Sequence, residues 1–123
     1  MRNTRVFALA LFATGCASAG SRFPKQTGDP QTEIGNAERL ITQAQQAGAD
    51  SLAPEALTMA RQQLAAAQAD RSANRTDAAT FKGRLAAADA TYARALAERV
   101  KAERARDAAQ AALQEATRGE KTP

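Results

Sequence analysis

The sequence predicts an all-α protein, a three-helix antiparallel bundle or hairpin with a long third helix. Three observations lead there. Of the 123 residues, 44% are hydrophobic but only 4% aromatic, and most of that hydrophobic fraction is alanine, the strongest helix former and a poor source of buried area. Apolar residues recur at steps of three and four over three successive stretches. Between those stretches stand Gly48 and Pro54, residues that end or open helices, and a fading stretch from Asp70 to Asn74. The length suits one domain with a thin core.

The chain opens differently. Arg2 and Arg5 precede an apolar run from Val6 to Ala13, followed by Gly15, Cys16 and the small residues Ala17, Ser18 and Ala19. A basic start, a short apolar core and small residues at its end make a secretory signal peptide, expected over residues 1–15. The run is too short for the roughly 20 apolar residues that cross a bilayer. With its cysteine directly after a small residue, it resembles a bacterial lipoprotein signal, although the position three before the cysteine, usually leucine, is Ala13. The resemblance implies cleavage before Cys16 and acylation (palmitate among the acyl groups) at that residue. An ordinary signal peptidase could instead cut at Ala17-Ser18-Ala19, releasing a soluble periplasmic chain from Gly20 onward. A single cysteine, once acylated, leaves no thiol for a disulfide or for thiolate chemistry.

Residues 16–31 then read as a lipidated N-terminus and flexible tether, with Gly20, Ser21, Pro24, Gly28 and Pro30 and little periodicity. As a coil it would reach about 20 Å, and more than twice that when stretched. The helical domain is expected over 32–117. Its first helix runs from Thr32, a plausible cap, to Ala47, with Ile34, Ala37, Ile41 and Ala44 on one face and Gly48 ending it in a left-handed conformation. Asp50 and Ser51 offer caps for a second helix, with Pro54 tolerated in its first turn. Its face carries Leu57, Ala60, Leu64 and Ala67, with Met59 alongside, and it fades between Asp70 and Asn74.

The third helix is expected from Thr76 to Thr117, on the order of 60 Å long. Its stripe reads Ala78, Phe81, Leu85, Ala88, Tyr92 and Ala95, which places Phe81 and Tyr92 in the core. Gly83 is a weak point of about 1 kcal/mol unless another backbone approaches there. Arg99 and Arg106 interrupt the seam, and residues 118–123 are a frayed tail.

Four short runs have a recognisable order: Ala37-Glu38-Arg39-Leu40-Ile41, Ala47-Gly48-Ala49, Ala53-Pro54-Glu55-Ala56-Leu57 and Leu64-Ala65-Ala66-Ala67. The stretch from Ala37 to about Ala95 resembles an alanine-rich domain of unknown function found in Gram-negative envelope lipoproteins. Relatives often carry an OmpA-like peptidoglycan-binding domain after this module. None is present in these 123 residues, so any wall contact is expected from the helices or from a partner. The resemblance implies no catalytic residues.

Chemistry gives little purchase. Without histidine, a Ser-His pair or a histidine metal site is excluded, and no cofactor is expected. Asp70, Asp77, Asp89, Glu98, Glu103 and Asp107 read as a solvated surface, with Arg94 and Arg99 four residues before Glu98 and Glu103. Loss of Arg2 and Arg5 leaves 15 basic against 13 acidic side chains, too balanced for nucleic acid. Arg94, Arg99, Lys101, Arg104 and Arg106 spread around the helix axis and alternate with acids, unlike a membrane-surface helix.

The second helix can cover only part of the third, so the segment from Glu98 to Thr117 is expected to overhang. Val100, Ala105, Ala109, Ala112, Leu113 and Ala116 are its candidate partner-binding strip. The expected function is a non-enzymatic cell-envelope lipoprotein with a structural or adaptor role through helix–helix contacts, by self-association or with an envelope protein. The resemblance places it at the periplasmic face of the outer membrane, since no aspartate follows Cys16. The alternative is a periplasmic binding module for a cell-wall or small apolar ligand.

Overall fold

A computed structural model gives the fold, and it describes residues 23–119. The signal peptide, Cys16 with the first part of the expected tether, and the last residues of the tail lie outside the described residues. Four helices follow one another: α1 (Pro30–Gln46), α2 (Ala49–Leu52), α3 (Pro54–Ser72) and α4 (Thr76–Gly119). The described residues contain no strand.

The helix ends follow local chemistry. Asp29, rather than Thr32, caps α1: its carboxylate accepts from the Thr32 backbone N–H at 2.9 Å and from the Thr32 hydroxyl at 3.0 Å. Pro30 takes the first helical position, where its missing N–H loses nothing. The carboxyl of Asp29 is held below its usual range first by the Thr32 N–H. Gly48 closes α1 with φ +84°, as expected of a left-handed stop. Asp50 and Ser51 fall inside the short α2 instead of capping the next helix. Ala53 precedes α3 with no side-chain cap, and Pro54 opens it. At the other end of α3, Asn74 is left-handed with φ 56°. The Arg75 N–H reaches the Asp70 carbonyl at 2.9 Å and the Asn74 N–H reaches Arg71 at 3.0 Å, the paired bonds of a Schellman stop.

Cross-helix contacts fix the topology. Arg84 pairs with Glu33 at 3.0 Å and Arg94 donates to Gln43 at 3.2 Å, so α1 runs parallel to α4. Gln68 donates to Glu38 at 3.0 Å, and Arg71 donates to Gln31, so α3 is antiparallel to α1. Asp70 near the end of α3 pairs with Lys82 near the start of α4, so α3 is antiparallel to α4 as well. This is the up-down-up order of a three-helix bundle. The start of α1, the α3–α4 turn and the start of α4 share one end, the base.

Ile34, Ala37, Ile41 and Ala44 are buried in α1, and Leu57, Ala60 and Ala67 in α3, with Leu64 half-buried. The expected face of α4 is not the buried one. Ala78 is buried, but Phe81 and Leu85 are half-buried, Ala88 and Ala95 are exposed, and Tyr92 is 62% exposed. The seam runs instead through Ala79, Gly83, Ala86, Ala90, Ala93 and Ala97, all buried, at alternating steps of four and three.

The physical reason is close approach. A Cβ on Gly83 would lie 3.0 Å from the Cβ of Glu33, 3.2 Å from its carbonyl carbon and 3.3 Å from the Ile34 nitrogen. Backbone meets backbone there, so large side chains are displaced to the rims. Gly83 is thus a site of contact rather than a weak point.

Candidate functional site

Three features outside the plain core could act on something else: the free end of α4, an open apolar cleft, and a strap laid across the base.

The strap begins at Phe23, in what the sequence presents as tether. The ring of Phe23 lies 5.5 Å from that of Phe81, centroid to centroid, and the Lys82 ammonium stands 5.8 Å from the Phe23 centroid. The Gln26 N–H donates to Asp77 at 2.8 Å. Arg84 donates to the Thr27 carbonyl, to Gln26 at 3.3 Å and to Glu33. Gly28, at φ +119°, bends the chain into the Asp29 cap, a conformation that other residues adopt only with strain. Thr80 is fully buried near this crossing, and its hydroxyl finds no hydrogen-bond partner. Residues 23–29 are therefore folded against α4, which shortens the expected tether.

Beneath the strap sits a clamp. Asp70 is only 3% exposed, whereas the sequence suggests a solvated carboxylate. It pairs with Lys82 at 2.6 Å through one oxygen and accepts from Arg75 Nε at 2.8 Å through the other. The Lys82 ammonium and then the Arg75 guanidinium outweigh burial and hold its carboxyl below the usual range. The signal was available in the sequence: Asp70 falls three residues after Ala67, on the next step of the α3 stripe. With both oxygens engaged by structural cations, Asp70 joins the end of α3 to the start of α4. It is poorly placed to exchange protons with a substrate. Among the described residues no cluster of histidine, cysteine or carboxylates could hold a metal ion.

The cleft lies toward the opposite end. Leu52, Ala53, Pro54, Glu55, Ala56, Met59, Tyr92 and Leu96 line about 330 Å³. Met59 is 54% exposed and Tyr92 62%, so the cleft is an open groove with Glu55 as its charged lining residue. Tyr92, expected in the core, stands at its edge because the close α4 seam has room only for small side chains.

The overhang is the largest feature. Every residue from 101 to 119 is exposed, while α4 continues as helix to Gly119. That segment extends about 28 Å. Of the candidate strip, Ala105, Ala109, Ala112 and Ala116 share one face at helical spacing, with Leu113 beside them and 66% exposed. Val100 does not join them. It is half-buried and continues the Ala93–Ala97 seam at the rim of the bundle. The surrounding charges pair locally: Arg94 with Glu98 at 3.4 Å, Arg99 with Glu103 at 2.8 Å and Arg106 with Asp107 at 3.2 Å. No described helix is long and apolar enough to cross a membrane.

Against known families, residues 32–109 match a domain of unknown function, DUF4398. The chain belongs to this family. The match covers all but the first two residues of α1, together with α2, α3 and the first half of the overhang, but neither the strap nor the end of α4. A search of curated proteins and of solved structures found no match. Family membership thus agrees with the alanine-rich domain of unknown function that the sequence suggests, and it brings no site residues.

Proposed function

We propose that this chain is a non-enzymatic lipoprotein of the cell envelope, anchored through Cys16 to the periplasmic face of the outer membrane. On this reading it has a structural or adaptor role through the exposed end of α4. One observation carries it: a continuous helix leaves the bundle with residues 101–119 all exposed, and one face of that helix is lined by Ala105, Ala109, Ala112 and Ala116 beside Leu113. Small residues allow a second helix to come close, as the seam of the same helix does inside the bundle. The mixed charges around the strip suit another helix, in a second copy or in an envelope protein, better than nucleic acid. The lipid anchor is supported by the N-terminal sequence alone: Arg2, Arg5, the apolar run and Cys16.

The test has two arms. Cys16→Ser should abolish acyl labelling and release the protein from the outer-membrane fraction; a wild-type mature chain starting at Gly20 contradicts the anchor. Ala109→Glu and Leu113→Lys should weaken self-association in sedimentation, or crosslinking to the envelope partner in intact cells, while the melting of the bundle stays unchanged. Association that survives both substitutions places the binding surface elsewhere.

A second reading, a periplasmic binding module for a cell-wall or small apolar ligand, is favoured by the cleft between Met59 and Tyr92, whose volume falls within the lower range of ligand pockets. Saturable binding of such a ligand, lost in Tyr92→Ala and retained in Leu113→Lys, would favour it over the adaptor.

A further inference from the structure

We infer that the strap at residues 23–29 fixes how the bundle stands on its membrane: the α3–α4 turn faces the lipid, and the tip of α4 points away from it. The inference rests on the reading that Cys16 is acylated.

The argument is one of reach. From Cys16 to Phe23 the chain has seven residue steps, about 25 Å at full extension. Phe23 cannot drift from the base, because it packs on Phe81 while Gln26 and Thr27 are held by Asp77 and Arg84. If residues 23–29 were loose, the reach from Cys16 to the start of α1 would double to about 50 Å. From Phe81 to Gly119, α4 extends about 57 Å. An inverted molecule, tip toward the lipid, would need Phe23 at least that far from the bilayer. That is more than twice what the anchor allows.

Two postures remain, upright and lying flat. A helix lying on lipid presents an apolar face flanked by basic residues. The overhang instead carries Arg99, Lys101, Arg104 and Arg106 interspersed with Glu98, Glu103 and Asp107 around the axis, two of its ion pairs already closed. The turn end, by contrast, exposes Arg71, Asn74 and Arg75, a polar surface able to sit against headgroups. Standing upright, the molecule holds its alanine strip between about 35 and 55 Å beyond the point where the strap grips α4. The partner of that strip is then a component on the cell-wall side, not the lipid surface or a segment buried in it.

The experiment uses the acylated full chain in vesicles that contain acceptor-labelled lipid. Asn74→Cys or Thr117→Cys carries the donor dye, acylated Cys16 being unreactive. Energy transfer from position 74 should be several-fold more efficient than from position 117. A flexible Gly/Ser insert of fourteen residues between Arg22 and Phe23 leaves the folded part untouched and should bring the two efficiencies together. Loosening the strap with Phe23→Ala and Arg84→Ala, which lengthens the reach to about 50 Å and leaves it short of about 57 Å, should narrow the difference only in part, provided melting shows the bundle intact. Equal transfer from the two positions in the parent chain overturns the upright posture, as does an insert that changes nothing. Absence of transfer from both positions, with no protein floating with the vesicles, shows instead that the lipid anchor fails and takes the inference with it.

Discussion

The two parts of α4 are built from the same alphabet and do opposite things. From Thr76 to Val100 one file of small residues, Ala79 to Ala97, is pressed against two helices; from Lys101 to Gly119 alanines at the same spacing face solvent. Composition does not separate them. What separates them is whether α1 and α3 are long enough to reach: the Lys101 side chain stands 3.5 Å from where a Cβ on Gly48, at the end of α1, would lie, and the start of α3 packs its Ala56 and Leu57 in one cluster with Ala93 and Ala97. The lesson is that an alanine seam becomes a core only where another backbone is delivered to it. Where none is delivered, the same spacing of alanines stays in solvent.

Paired substitutions sharpen that contrast. The largest difference is expected between two leucines. Leu57 is fully buried in the cluster with Ala90, Ala93 and Ala97, and Leu57→Ala should destabilise the protein by about 3 kcal/mol. Leu113→Ala, in the overhang, should change stability by less than about 0.5 kcal/mol. Denaturant unfolding of both variants measures this, and equal losses would break the division.

Ion pairs should divide the same way. Asp70→Asn removes the buried acceptor of Lys82 and Arg75 and should cost about 2 kcal/mol, whereas Glu103→Gln should cost a few tenths. Because the folded carboxyl of Asp70 is held below its ordinary value, its contribution is present above the unfolded pKa of about 3.9. It is lost as pH falls through the folded value. Wild-type stability should therefore drop more steeply below about pH 4 than that of Asp70→Asn, and parallel acid titrations of the two would contradict the clamp.

Two glycines give a smaller and opposite pair. Gly35 has open space where a Cβ would go, while Gly83 has the α1 backbone there. Gly35→Ala should stabilise by up to about 1 kcal/mol, and Gly83→Ala should destabilise by about 1 kcal/mol or more as the helices are forced apart. Thermal melts that rise for both would mean that the helices are not in contact at Gly83. The smallest expected effect is that of Ala109→Glu on folding, within about 0.5 kcal/mol, although on the adaptor reading it weakens association.

Much of this was legible in the sequence, and the failures share a cause. In α1, Ile34 and Ile41 stand out against glutamine and glutamate, so the face was plain. In α4, alanine occupies every side, and a stripe drawn through the bulkiest residues selected Phe81, Leu85 and Tyr92. Close packing requires the reverse choice, with bulk at the rims. Asp29-Pro30 is a strong helix start that the surrounding glycine and proline disguised as linker. Phe23, one of four phenylalanines in the chain, signalled that the supposed tether had something to bury. The candidate strip is mostly one face, but Val100 belongs to the bundle seam, because it follows Ala93 and Ala97 at helical spacing and is half-buried.

Amide hydrogen exchange along α4 in the full chain, at low protein concentration, bears most directly on the division. Amides from Ala79 to Ala97 should exchange only through global unfolding and should lose protection together in Leu57→Ala. Those from Ala105 to Ala116 should exchange orders of magnitude faster, at a rate that Leu57→Ala leaves unchanged, because the overhang opens without the bundle. Uniform protection along the whole of α4, falling as one unit in Leu57→Ala, would contradict the division of α4 into a core half and an exposed half.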